Sequence, residues 1–199
     1  MISYCINLDR RSDKWNDVIK EFTQHNINPI RFSAYDTAPG WKGCRDSHLS
    51  VLSRAKMDGL KQFAVYEDDV VFIEKPNGIL KQAISQLPQD WDILYLGVSP
   101  LEPMTRYSEN LFRVGKSVCL HATIYNNTKW DGVLDYILKH KTEIGKIDVF
   151  YSDYVHRNFN VFVTYPMICT QRQYKSDTCG RSDVSTIVKN YNKFLHEAD

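Results

Sequence analysis

The stretch over residues 64–72 constrains this chain most, because three consecutive acids, Glu67, Asp68 and Asp69, interrupt a run of apolar residues. Adjacent carboxylates repel one another, and beside a buried strand this repulsion needs compensation by positive charge. Mg²⁺ or Mn²⁺ would supply that charge, because hard divalent cations bind carboxylate oxygens and often share them with substrate phosphates. The alternative is a solvated acidic turn, although Gly, Pro or Ser would more often flank such a turn.

The order of the acids predicts which of them act together. Alternate side chains of an extended chain share one face, so Glu67 and Asp69 are expected to point one way and Asp68 the other. Two carboxylates at this spacing, at the end of a strand, are typical of a metal clamp. We therefore expect Asp69, together with Glu67, to bind Mn²⁺ or Mg²⁺.

Length and composition limit the classes of protein to consider. A chain of 199 residues fits one domain and a tail, and a formal net charge of +1 with interspersed signs does not favour nucleic acid as a partner. No apolar stretch is long enough to span a membrane, and the start lacks the regions of a signal peptide. The five cysteines form no Cys-x-x-Cys pair, which indicates free thiols and a cytoplasmic setting.

Apolar runs and helical periodicities alternate along the chain. The predicted strands cover residues 2–8, 29–34, 62–66, 91–97, 118–125 and 160–165. The predicted helices begin near residues 12, 43, 76, 126 and 147, and residues 98–110 are predicted as a loop. This alternation indicates an α/β fold with a mixed, largely parallel sheet flanked by helices. We expect one domain over residues 1–183, with an amphipathic C-terminal helix over residues 184–199 packed on it.

Polar residues cluster where the first three predicted strands end. In parallel sheets, ligands bind at the carboxyl ends of the strands. Leu8 and Asp9, the segment from Ala34 to Asp36, and the acids up to Asp69 all lie at such ends. These segments are therefore expected to converge on one crevice.

Several short motifs carry a resemblance to a known family. They are Ile6-Asn7-Leu8-Asp9-Arg10-Arg11, Ala34-Tyr35-Asp36, Gly43-Cys44-x-x-Ser47-His48-Leu49, Glu67-Asp68-Asp69-Val70, and further blocks at residues 91–97, 121–125, 147–148 and 171–177. In this order they resemble glycosyltransferase family 25, which includes bacterial lipooligosaccharide galactosyltransferases and collagen hydroxylysine galactosyltransferases. The resemblance extends to about Asp183. Departures at residues 45–46, 123 and 126–127 leave the sugar and the acceptor open.

The resemblance implies a single GT-A-type, Rossmann-like domain. It also implies a UDP-sugar donor, commonly UDP-galactose or UDP-glucose, and inversion at the anomeric carbon. The acceptor would be a hydroxyl group of a glycan or of hydroxylysine. In this setting the metal would bridge the diphosphate and take up charge as it leaves.

Strand ends and family motifs together give the expected donor site. Asp68 is expected to share contacts with the metal, the ribose or another part of the donor, and Arg10 or Arg11 to pair with phosphate. Taken singly, each arginine could instead lie on the surface at a helix start. The full set of expected donor-binding residues is Asn7, Leu8, Arg10, Arg11, Ala34, Asp36, Ser47, His48 and Asp68.

Other residues in this set also have structural alternatives. Asn7 could equally satisfy a turn at the end of the first strand. His48 lies on the apolar face of its predicted helix, so a core histidine bonded to backbone is the alternative to a site residue. The family match to Ser47 and His48 indicates importance without choosing a role, and His121 carries the same ambiguity.

Inverting transfer needs a general base that removes the proton of the acceptor hydroxyl as its oxygen attacks. Asp148 matches a family motif and opens a short helix, so it is the expected base. An acid that stabilises the helix N-terminus is the alternative interpretation. Asp153 is the second candidate.

Two other functions compete with sugar transfer. Nucleotidyl transfer also uses paired acids and Mg²⁺, but it usually needs a Gly-rich phosphate loop, which this sequence lacks. A carbohydrate- or nucleotide-binding pseudo-enzyme with the same fold is the non-enzymatic alternative.

Overall fold

The computed structural model of the chain describes residues 1–73, 76–178, 180–181 and 193. Its central sheet is built from β1 (Ile2–Asn7), β2 (Ile30–Ser33), β3 (Gln62–Glu67), β5 (Ile93–Tyr95), β7 (Thr105–Ser108), β8 (Leu111–Arg113), β10 (Ala122–Asn126) and β11 (Val161–Thr164). Their order across the sheet is β2-β1-β3-β10-β5-β11-β8-β7. Short pairs lie beside it: β4 (Val70–Phe72) with β12 (Cys169–Gln171), β6 (Ser99–Pro100) with β9 (Ser117–Val118), and β13 (Lys175–Ser176) with β14 (Gly180–Arg181).

The sheet combines parallel and antiparallel pairings. β1 runs parallel to β2 and to β3, and β5 runs parallel to β11. β10 lies antiparallel between β3 and β5, and β8 is antiparallel to β11 and β7. The predicted mixed sheet is confirmed, and its parallel part is smaller than the sequence indicates because β10 enters the middle of the sheet in the opposite direction.

Helices cover both faces of this sheet. They are α1 (Ser12–Gln24), α2 (Gly40–Met57), α3 (Pro76–Gln86), α4 (Val133–Lys139), α5 (Ile147–Phe150) and α6 (His156–Asn158), with a π-helical turn at Tyr151–Val155. One core cluster joins α2, α4 and α5 to the sheet, and the other joins α1 and α3 to it. Burial on both faces explains why the central strands are almost continuously apolar. None of the helices in the described part of the chain is both long and apolar enough to cross a membrane.

Two local predictions are wrong. Residues 98–110, predicted as a loop, contain β6 and β7, and β7 pairs with β8 at the edge of the main sheet. The helix predicted to start near Asn126 begins at Val133, because β10 continues to Asn126. Trp130, which lies between β10 and α4, is 99% exposed.

The described residues cover most of the predicted domain over residues 1–183. The amphipathic helix predicted over residues 184–199 lies outside the described residues, apart from the single helical residue Lys193. The division between domain and terminal helix therefore stays a prediction.

The first turn of α2 packs against the chain that follows β2. A Cβ atom on Gly43 would lie 2.1 Å from the carbonyl oxygen of Tyr35. One turn later the buried Ser47 hydroxyl accepts a hydrogen bond from the Tyr35 backbone N–H at 2.9 Å and donates one to the Gly43 carbonyl at 2.6 Å. These contacts hold α2 against the carboxyl end of β2.

This close approach predicts a difference between two glycine substitutions. Gly43→Ala should lower the free energy of unfolding by roughly 1–3 kcal/mol, because the new methyl group meets backbone that must shift. Gly78→Ala in α3 is the matched control, since a Cβ there has no atom within 4 Å. That control should be neutral or stabilise by up to about 1 kcal/mol, because alanine favours helix more than glycine does. Urea unfolding of both variants measures the difference, and equal effects would contradict the tight packing of α2.

Candidate active site

A cavity of about 290 Å³ lies at the carboxyl ends of β1, β2 and β3. Because β1 is parallel to both neighbours, the residues that follow these strands meet at one edge of the sheet. Leu8, Ala34 and Asp69 line the cavity from the three strand ends. The start of α2 and the start of α5 provide further walls, with Cys44 and Asp148 facing the same space.

The structure brings most of the expected site residues together. The expected residues that line the cavity are Leu8, Arg10, Ala34, Asp36, His48, Glu67, Asp68, Asp69 and Asp148. The expected residues outside its described lining are Asn7, Arg11, Ser47 and Asp153.

Three of the residues outside the lining contact residues at the cavity or hold the helix that forms its wall. Asn7 is 1% exposed and its Nδ2 donates to Asp68 Oδ2 at 2.7 Å. Ser47 uses its hydroxyl to fix the start of α2, as described above. Arg11 pairs with Asp177 at 2.5 Å, at the edge of the cavity.

The acids divide as the alternation of side chains predicts. Asp68 turns toward Asn7 and accepts a hydrogen bond from Lys14 Nζ at 3.1 Å. Glu67 and Asp69 instead share Gln171, whose Nε2 lies 3.4 Å from Glu67 Oε2 and 3.3 Å from Asp69 Oδ1.

His48 reaches the acids from α2. Its side chain is 1% exposed, and its Nε2 lies 3.1 Å from Glu67 Oε1. His48 is therefore both a core residue and a residue of the site, whereas the sequence offered these two roles as alternatives. His121 is fully buried, and burial lowers its pKa to about 4.

The electrostatics of the acids indicate a shortage of positive charge. Burial raises the pKa of Asp69 to about 7, and the negative charge of Glu67 acts in the same direction. Burial also raises the pKa of Asp68, although Lys14 opposes this. Burial would raise the pKa of Glu67 as well, but the hydrogen bond and charge of His48 lower it. A site built of oxygen donors with too little positive charge fits a hard divalent cation.

A cationic edge borders the acids on the side of α1. Arg10 contacts Asp36 through Nε at 2.7 Å and Asp177 through Nη1 at 2.9 Å. Lys14 Nζ lies 3.6 Å from Asp177 and 3.7 Å from Asp69. Cationic side chains grouped in this way match the charge of a phosphate group, and the guanidinium can bind its oxygens in pairs.

Asp148 is at the start of α5, on another side of the cavity. Its Oδ1 accepts a hydrogen bond from the Val149 backbone N–H at 2.9 Å. Burial raises the pKa of Asp148, and the charge of Glu67 adds to the effect. Asp153, the second candidate for the base, lies outside the described lining and pairs with Lys116 at 3.4 Å.

Sequence reasoning missed several residues of this site. Lys14 stands in the first turn of α1, and the helical pattern gave no sign that it reaches the acids. Gln171 and Asp177 lie in a family block that the sequence marks, but their partners were not foreseen. Cys44 also faces the cavity, and its thiol forms, with His48 and Glu67, a group whose ligand atoms lie within 4.8 Å of one another.

The raised pKa of Asp69 predicts how stability depends on pH in the presence of a chelator. Between the ordinary value of 3.8 and about 7, the folded state keeps a proton that the unfolded state has lost. Stability therefore falls as pH rises through this window. Asp69→Asn removes this penalty, so its gain over wild type should grow by roughly 2–3 kcal/mol between pH 5 and pH 8.

Asp13→Asn is the matched control with the opposite sign. The hydrogen bond from Arg11 lowers the pKa of Asp13 to about 2, so the ionised form of Asp13 stabilises the folded state above the ordinary value of 3.8. Its replacement should cause a small loss at pH 8. Urea unfolding at several pH values measures both variants, and a pH-independent effect of Asp69→Asn would rule out the raised pKa.

Comparison with curated proteins finds two relatives that match part of this chain. A protein from Acanthamoeba polyphaga mimivirus, named procollagen lysyl hydroxylase and glycosyltransferase, is 27% identical over 168 residues, which is 64% of this chain and 19% of that protein. A Bos taurus protein, named probable inactive glycosyltransferase 25 family member 3, is 33% identical over 75 residues, which is 36% of this chain and 13% of that protein. This chain thus spans less than a fifth of the length of either relative. No family model matches it.

Comparison with solved structures extends over nearly the whole chain. The crystal structure of a glycosyltransferase involved in the glycosylation of the major capsid of PBCV-1 superposes with a TM-score of 0.57. The match covers 96% of this chain and 98% of that chain, at 10% sequence identity. At this identity the likeness concerns the fold alone.

Proposed function

This chain resembles glycosyltransferase family 25 in sequence and has a GT-A-type fold, and on this basis we propose that it is a glycosyltransferase. Its proposed reaction moves a hexose, galactose or glucose, from a UDP-sugar to a hydroxyl group. The acceptor hydroxyl belongs to a glycan or to hydroxylysine, and the reaction inverts the anomeric carbon. Mn²⁺ or Mg²⁺ is the proposed cofactor.

One observation carries this proposal. A single cavity is lined by a pair of carboxylates that can bind a cation, an arginine that can bind a phosphate, and a separate carboxylate that can accept a proton. Transfer from a nucleoside diphosphate sugar needs these three functions within reach of one another.

Glu67 and Asp69 would hold the divalent cation. Their oxygens face the same amide group of Gln171, and burial together with the charge of Glu67 keeps the pKa of Asp69 raised. A bound cation would neutralise charge on the leaving diphosphate. Asp68 is held apart by Asn7 and would contact the donor instead.

Arg10 is the proposed contact to the diphosphate. Its guanidinium already binds carboxylate oxygens of Asp36 and Asp177, so it is oriented for paired hydrogen bonds to phosphate oxygens. Leu8 and Ala34 offer apolar surface beside it for the nucleoside.

Asp148 is the proposed general base. As the acceptor oxygen attacks the anomeric carbon, its proton passes to the Asp148 carboxylate and the diphosphate leaves from the opposite face. A carboxylate with a raised pKa is a stronger base, which suits this role.

Replacement of the base tests this assignment. Asp148→Asn should lower kcat by about 10²–10⁴-fold with little change in donor affinity, because the amide keeps the shape but cannot take a proton. Asp153→Asn is the matched control and should leave kcat nearly unchanged, since Asp153 pairs with Lys116 outside the described lining. A nearly silent Asp148→Asn would mean that Asp148 only supports the first turn of α5, because an Asn oxygen can also accept the hydrogen bond from the Val149 backbone N–H. Transfer kinetics with each variant measure the effect.

Nucleotide binding tests the donor class and separates the enzyme from a pseudo-enzyme. With Mn²⁺ present, calorimetry should show tighter binding of UDP than of ADP. Equal affinity for the two would contradict a uridine donor. If UDP binds but a panel of UDP-sugars shows neither transfer nor hydrolysis, the chain is a binding protein with this fold.

A further inference from the structure

Gln171 is fixed beside the acids by backbone on both sides. It ends β12, which pairs antiparallel with β4 so that Gln171 lies opposite Val70. The next residue, Arg172, donates its backbone N–H to the carbonyl oxygen of Asp69 at 2.6 Å. The Gln171 side chain is partly buried and lines the cavity. These backbone contacts therefore hold the Gln171 amide group toward the carboxylates.

The amide spans the space between the two expected metal ligands. Its contacts to Glu67 Oε2 and Asp69 Oδ1, at 3.4 and 3.3 Å, are longer than the roughly 2.7–3.2 Å of ordinary N–H···O hydrogen bonds. The other oxygen of Glu67 is occupied by His48 at 3.1 Å. Gln171 thus meets the one oxygen of Glu67 that His48 leaves available.

We propose that Gln171 is the third protein ligand of the metal, through its side-chain oxygen Oε1. This inference rests on the proposed function, in which Glu67 and Asp69 hold the cation. An amide carries a donor nitrogen and an acceptor oxygen at equal reach, and rotation about its last bond exchanges them. The nitrogen suits two carboxylates when no cation is bound, and the oxygen suits a hard cation, which takes amide oxygens together with carboxylates.

A competing role for Gln171 makes the opposite prediction. If the amide only donates hydrogen bonds to the carboxylates, it competes with the cation for the same oxygens. Its removal would then leave metal affinity unchanged or increase it. If the amide oxygen is a ligand, removal weakens binding. The direction of the change therefore separates a ligand from a competitor. Gln171→Glu in turn separates a ligand from a donor that only orients the carboxylates, because a carboxylate keeps the ligand oxygen but has no N–H to donate.

The experiment is a titration with Mn²⁺ alone, without nucleotide, in which electron paramagnetic resonance measures free Mn²⁺. Gln171→Leu should weaken Mn²⁺ binding by about tenfold or more, the size of effect seen even when partners outside the ligand set are lost. Gln171→Glu keeps the shape and offers a carboxylate oxygen, so it should bind Mn²⁺ at least as tightly as wild type. Gln173→Leu is the matched control on an exposed neighbour and should behave as wild type.

The outcomes separate this inference from the proposed function. If wild type binds Mn²⁺ and Gln171→Leu binds it equally or more tightly, Gln171 is not a ligand, and the clamp of Glu67 and Asp69 stands. If wild type binds no Mn²⁺, both the clamp and the role of Gln171 are overturned. Should Gln171→Leu fail to fold, Gln171→Glu decides the question, because weaker binding despite an added negative charge would exclude coordination at this position.

Discussion

Repulsion among Glu67, Asp68 and Asp69 is the constraint on which the rest of the site depends. Each carboxylate meets partners from a different part of the fold. β1 and α1 supply partners for Asp68, α2 supplies one for Glu67, and β12 supplies one that Glu67 and Asp69 share. One lysine among these partners cannot balance three negative charges, so the site holds an electrostatic cost. Unbalanced electrostatic repulsion of this kind is typical of sites that bind a positively charged ligand.

The topology of the sheet explains why these partners can meet. The parallel group β2-β1-β3 places three strand ends at one edge, and the acids follow the strand on one side of that group. β10 lies antiparallel between β3 and β5, and it joins this parallel group to the rest of the sheet. α5, which lies between β10 and β11 in sequence, brings Asp148 to the same cavity. The three acids and Arg10 thus come from an early part of the chain, and the proposed base Asp148 comes from a later part.

The side of the cavity proposed to bind the diphosphate has a different balance of charge from the side proposed to bind the metal. Arg10, Arg11 and Lys14 all contact Asp177, which comes from the far end of the described chain. Lys14 also contacts Asp68 and Asp69, so it links this group to the acids. The cavity thus places Arg10 and Lys14 close to the three acids, as binding of the proposed metal–diphosphate pair would require.

The sequence by itself determined the acid run, the strands that deliver it, and the convergence of Leu8, Ala34 and Asp69. These features are local: apolar periodicity defines a strand, and parallel strands must end at one edge. It also predicted that Asp68 would face away from its two neighbours, because side chains alternate along an extended chain.

Only the tertiary structure decided which residues pair with the acids through hydrogen bonds and ion pairs. Lys14 lies 54 residues from Asp68, and Gln171 lies 104 residues from Glu67, so no local pattern links them. The structure also decided that β7 adds to the sheet, since strand pairing depends on a distant partner more than on intrinsic preference. Contacts of this kind depend on how helices and strands pack against one another. Sequence periodicity identifies the buried face of a helix or strand, but it does not identify the distant residue that packs against that face.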